Sequence, residues 1–132
     1  MPARHDIDNK NNLITTTWTG KVSDSEMVDA LREYQREIKS NPDYFDYNEI
    51  VDFSEVTHIH ITFKGMEEIR EIAIRSDRTE INTKLAFITV SPLAYGLARI
   101  YEVYRNVQST ANKTVKVFKK ASDAYKWLGI NI

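Results

Sequence analysis

Cysteine is absent from this chain, and glycine and proline are scarce, at four and three of 132 residues. Without cysteine there is no disulfide, no thiol nucleophile and no thiolate metal site, a composition that fits a reducing compartment. Four glycines give little from which to build a phosphate cradle, and GxGxxG, GxxxxGK[ST] and GxSxG do not occur. Charge of one sign is not in excess either: 18 Lys and Arg stand against 19 Asp and Glu, a formal net charge of −1. Nucleic-acid binding draws on a surplus of cations that neutralise phosphates, so no nucleic-acid partner is expected. No apolar run approaches the roughly 20 residues of a membrane-spanning helix. The opening "MPARHDIDNK" has no apolar core of the secretory type. The expected location is cytoplasmic, with no membrane span and no cofactor.

What is present is ordinary for a globular protein, 42% hydrophobic and 28% charged residues. The length suffices for one sheet with helices packed on it. No repeat, linker or low-complexity segment divides the chain, so residues 1–132 read as a single domain.

Two extended pieces, "ARHDI" and "NLITTTWTG", flank the polar "DNKN" and predict a hairpin. "SDSEMVDALREYQREIKSNP" opens with Ser23 and Glu26 in capping-box spacing. It places Met27, Leu31, Tyr34 and Ile38 on one helical face and is stopped by Pro42. "YNEIVDF" follows as a short buried strand. "TFKGMEEIREIAIRSD" is a second helix with Met66, Ile69, Ile72 and Ala73 inward, and "KLAFITV" a further strand. "SPLAYGLARIYEVYRN" starts a third helix with Ser91 as cap and Pro92 in the first turn. "KTVKVFK" alternates as an edge strand does, and "SDAYKWLG" closes as a short helix stopped by Gly129. The order is β-β-α-β-α-β-α-β-α: an α/β fold with a five-stranded mixed sheet, parallel apart from its hairpin, and four helices.

Candidate sites are few. His58 and His60 share a face of an extended chain, but the remaining histidine is His5, far away in sequence, so no metal site is expected. Thr62 stands where the second helix begins. It caps the first turn, and the free amides of that turn also make it, with Ser54, a candidate anion or phosphate site. On the third helix, Leu93, Leu97, Ile100 and Tyr104 fall on the expected core face. Tyr95, Arg99 and Glu102 then fall on the outer face with Asn106, a candidate partner surface of interface-rich residue types. Phe63, Ile74, Tyr101 and Tyr104 lie on or beside apolar faces; they either fill the core or line a ligand cavity.

The element order, the strand "IVDFSEVT", the strand-cap-helix "LAFITVSPLAYGLARIYE" and the closing "VKVFKKASDAYKWLG" together resemble the SpoIIAA-like branch of STAS proteins, within the STAS/SEC14-like group. The resemblance runs from "NLITTTWTG" to Trp127. It implies a STAS-like mixed sheet and a non-enzymatic role: antagonism of an anti-sigma factor, regulatory docking, or sensing of a bound ligand. The SEC14-like relatives imply a cavity for an apolar or lipid-like molecule. Asp52, Phe53, Ser54, Glu55 and Val56 match the first half of the phosphorylatable STAS motif. Where that motif continues Asp-Ser-Ser-Gly, this chain has His60, Ile61, Thr62 and Phe63, so the serine switch is not carried over.

Two functions from different classes follow. One is a regulatory or protein-interaction module that uses the start of the second helix and the outer face of the third. The other is a carrier or sensor of an apolar or lipid-like small molecule. An enzymatic reading has only Asp52, near His58 or His60, as a foothold. A homodimer through an edge strand, "NLITTTW" or "TVKVF", stays open.

Overall fold

Strand β2 (Leu13–Ser23) organises the molecule, because it is the strand on which the sheet changes from antiparallel to parallel. The structure is a computed structural model and describes residues 3–75, 81–106 and 113–131. Strand β1 (Ala3–Asp8) runs antiparallel to β2, with Ala3 opposite Trp18 and Asp8 opposite Leu13. β2 then pairs in parallel with β3 (Asn48–His60), β3 with β4 (Thr83–Ile88), and β4 with β5 (Lys113–Phe118). The sheet order is β1-β2-β3-β4-β5. Among the described residues four α-helices connect the strands: α1 (Asp24–Tyr34), α2 (Phe63–Arg75), α3 (Pro92–Asn106) and α4 (Ala121–Leu128). Element order and mixed sheet agree with the sequence reading. Residues 76 and 77, expected to end the second helix, lie outside the described residues.

Local chemistry explains the turns. The Asp8 carboxylate accepts from the amides of Lys10 and Asn11, and Asn12 takes the left-handed conformation (φ 51°) that asparagine tolerates. The β2–β3 register shifts between Thr17 and Thr19 and again between Gly20 and Lys21, the extra residue lying on β3 each time. Beside the second shift Gly20 takes a φ of 72° that would strain a side chain. Helix α1 gives way to a π-helical turn (Gln35–Lys39) before Pro42, which instead opens a short 3-10 turn capped by the Asn41 side chain. The Ser23 hydroxyl donates to the Glu26 carboxylate rather than closing a reciprocal capping box. Ser91 does cap α3, accepting from the Ala94 amide at 3.1 Å, and Gly129 ends α4 at φ 74°.

Strand alternation divides the core in two. One face of the sheet presents Trp18, Phe53, Leu85, Phe87, Val115 and Val117, covered by α1, α2 and α3. The other presents Leu13, Ile50, Ala86 and Ile88, covered by α4 through Ala124 and Leu128. Burying each large apolar side chain contributes roughly 1.5–3 kcal/mol.

Two expectations about strands are corrected. "NLITTTW" is not an edge, because β1 covers it; the edges are β1 and β5. Strand β3 does not end near Phe53 but continues to His60, paired with β2 as far as Ser23.

Candidate functional site

Between the sheet and helices α1, α2 and α3 lies a cavity of about 140 Å³. Its walls are mainly apolar: Trp18, Phe53 and Phe87 rise from the sheet, with Met27, Met66, Ile69 and Leu97 from the helices. The aromatic rings form a ladder. Phe53 and Phe87 stack at 5.9 Å and 5°, and Phe87 meets Tyr101 edge-on at 5.5 Å. Such arrangements suit the ring quadrupole and leave both faces and edges for a guest. Small residues make the space. Ala73 of α2, Ala94 and Ala98 of α3, and Ala30 of α1 stand on the wall where larger side chains would fill it.

The opposite end of the cavity is polar. Glu49, on β3 in register with Leu85 of β4, points to the same face as Val51 and Phe53. Its carboxylate is buried, with 9% of the side chain exposed. The Tyr34 hydroxyl donates to Oε1 at 2.6 Å, Lys39 Nζ lies 3.2 Å from Oε1, and Lys113 Nζ donates to Oε2 at 2.8 Å. Burial opposes the charge on Glu49, yet the attraction of Lys113 and Lys39 and these hydrogen bonds overcome it, lowering the carboxyl to about 2. Burial also pushes the Tyr34 phenol far up, reinforced by the Glu49 charge, so it remains a donor. Lys39 is held below its ordinary value, because burial outweighs the pull of Glu49, and Lys113 repels it further. It also donates to the Tyr44 and Tyr47 carbonyls. His5 completes this end, its Nδ1 2.8 Å from the Thr16 hydroxyl and its ring 5.1 Å from that of Tyr34. Burial keeps the imidazole below its ordinary value despite Glu33, Glu37 and Asp6 nearby.

The residues singled out in the sequence are distributed differently. Of Phe63, Ile74, Tyr101 and Tyr104, Tyr101 alone lines the cavity. Phe63 is 76% exposed and Tyr104 38% exposed, and Ile74 is half-buried away from it. The candidate partner surface is also corrected. Arg99 is exposed and Tyr95 half-buried, but Glu102 is buried. Helix α3 is rotated from the expected face, turning Ala94, Ala98, Tyr101, Glu102 and Arg105 inward and leaving Leu93 59% exposed. Glu102 Oε2 accepts from the Val117 amide, and the Asn106 side chain bonds both the amide and the carbonyl of Val115. These side chains satisfy the outer edge of β5, which among the described residues has no strand beside it.

Thr62 does cap α2, its hydroxyl accepting from the Gly65 amide at 3.0 Å. The anion at that helix start is internal: Asp24 accepts from the Thr62 amide at 2.9 Å and from its hydroxyl at 2.6 Å. Ser54 does not join it, standing eight residues earlier along β3, roughly 25 Å at strand rise. Asp52 accepts from the Ser54 amide. His58 and His60 both stand exposed near the end of β3, and His5 is on the cavity wall. Among the described residues no group of three or more His, Asp or Glu could hold a metal ion, and no helix is long and apolar enough to cross a membrane.

Sequence reasoning missed Glu49, Lys39 and Lys113. The available signal was a carboxylate in register with the apolar Val51 and Phe53 of one buried strand face, a placement that requires a buried cation nearby.

No family model matches the sequence, and no curated protein matches it significantly. Among solved structures the chain is similar to an uncharacterized protein from the DUF3478 family with a SpoIIAA-like fold, from Shewanella loihica PV-4. The TM-score is 0.59 at 12% identity, over 96% of this chain and 91% of that one. The fold is SpoIIAA-like.

Proposed function

We propose that this SpoIIAA-like module is a non-enzymatic carrier or sensor of a small apolar molecule held between the sheet and helices α1, α2 and α3. The observation that carries the reading is the cavity of about 140 Å³ on an aromatic wall. Protein interiors pack like organic crystals, with few voids larger than a water molecule. The cavity is partly open to solvent, and a guest seated on its apolar wall removes that surface from water. Its size is bounded by comparison: a cavity of about 150 Å³ with an aliphatic and aromatic lining admits benzene. A guest of about one ring fits, and a diacyl lipid does not.

Native mass spectrometry of the protein as purified, with the denatured mass beside it, tests the reading. The expected result is an extra mass lost on denaturation, or, for an empty preparation, a rise in melting temperature on saturation with toluene. A bare mass together with no response to toluene contradicts it.

A docking role is the second reading, supported by a different observation. Phe63 at the start of α2, and Val90 and Leu93 at the start of α3, are 76%, 62% and 59% exposed. These exposed apolar side chains, together with the exposed Arg99 and half-buried Tyr95 but not the buried Glu102, are what a protein partner would cover.

A further inference from the structure

We infer that the guest is a small aryl acid, its ring against Phe53, Phe87 and Tyr101 and its carboxylate received by Lys113. This rests on the cavity being a ligand site, and it names the polar half of the ligand.

The sign of charge follows from how the polar groups are already engaged. Glu49 Oε1 accepts from Tyr34 and faces Lys39, and Oε2 accepts from Lys113. A cationic guest would find that carboxylate already committed and two ammonium groups beside it. Lys39 is also engaged, donating to two backbone carbonyls as well as facing Glu49. Lys113 is different. Among the described residues its ammonium has Glu49 as its one polar partner. An ammonium has three N–H donors, so two remain on a side chain that lines the cavity and is 15% exposed. At this end of the cavity one carboxylate faces two lysines, with Arg105 of α3 also on the wall, while Asp6, Glu33, Glu37 and Asp46 act from outside the lining. Within the Glu49 cluster Lys113 is the member with donors to offer.

Strand register sets the distance between the halves of the guest. Glu49 lies beside Leu85, and Val51 beside Phe87, one pleat further along the same face. That step is roughly 7 Å at two residues of strand rise. Lys113 is in register with Thr83, one pleat before the Glu49 level, and its side chain reaches forward to Glu49. A ring at the Phe87 level and the ammonium held at Glu49 are therefore spanned by a ring, one carbon and a carboxylate, about 4–5 Å, plus a hydrogen bond of about 2.8 Å, the shape of phenylacetate. The aromatic ladder favours an aryl over an alkyl body by offering faces and edges for ring contacts.

Isothermal titration calorimetry with phenylacetate, its neutral isostere phenylacetamide, and toluene tests this on the intact protein. The expected result is that phenylacetate binds about 10–100-fold more tightly than phenylacetamide, as a charge-assisted hydrogen bond in a buried site provides. In Lys113→Met the two should converge while toluene binding is retained. Equal affinities in the wild type, or tighter binding of the amide, would overturn the acid and leave the apolar cavity standing. Failure of all three ligands to bind would overturn the cavity reading itself. The wild-type comparison decides the question even if Lys113→Met does not fold.

Discussion

The Glu102 carboxylate accepts a hydrogen bond from the Val117 amide at 2.9 Å, so that a side chain of α3 takes the place a neighbouring strand would have on the edge of β5. Its other oxygen accepts from Arg99 at 2.6 Å. The carboxylate is thus a structural acceptor, and the guanidinium a partly exposed accessory to it.

Glu102→Ala should cost about 1–3 kcal/mol, because the buried Val117 amide loses its acceptor. Arg99→Ala should change stability by less than about 1 kcal/mol, since its guanidinium is half in water. Urea unfolding of both variants measures the pair. Equal effects would mean that Glu102 works through Arg99 rather than through the strand edge.

At the start of α2 a Cβ on Gly65 would overlap the Asp24 carboxylate, so glycine is what admits that cap. Asp24→Ala should cost about 1 kcal/mol, as loss of a capping acceptor does. Gly65→Ala should cost at least as much, by displacing the same carboxylate. The double variant should be no worse than Gly65→Ala alone. Additive losses in a double-mutant cycle would show that the two positions are independent.

Glu49 makes stability depend on acid. Its folded-state value is lowered from 4.5 to about 2, so its contribution is fully present above 4.5 and lost as pH falls toward 2. Wild type should therefore lose more stability than Glu49→Gln between those pH values. At neutral pH the variant should be about 3–5 kcal/mol less stable, having left two lysines without their carboxylate. Parallel stability curves across the acid range would show that Glu49 does not carry the effect.

Ala98→Leu tests whether the space is real. Ala98 lines the cavity and is 6% exposed. A leucine that enters a void should leave stability unchanged or raise it, by up to about 2 kcal/mol, while abolishing toluene binding. In a filled core the same change would cost about 1–3 kcal/mol through overpacking.

Strands and helices were legible in the sequence because period and capping are local: Ser91, Gly129 and the run "KLAFITV" each behave as their chemistry dictates. The rotation of α3 was not legible. Apolarity alone favours Leu93 and Tyr104 as core residues, but α3 seats Ala94, Ala98 and Tyr101 with the polar Glu102 and Arg105 against the sheet side and leaves Leu93, Val103 and Tyr104 outside. Glu102 and Asn106 read as solvent-facing because their inward acceptors and donors serve a strand edge that exists only after folding. The cavity floor was hidden for a similar reason. Glu49 meets Lys113 from 64 positions away, a contact that only the register of β3, β4 and β5 creates.

The most direct test uses the methyl groups of Met27 and Met66, which approach the cavity from α1 and α2. In methyl-labelled protein titrated with toluene, both resonances should shift and saturate together, and neither should move in Ala98→Leu. Unmoved methyls in the wild type, or shifts that persist unchanged in the filled variant, would contradict a guest between the sheet and its helices.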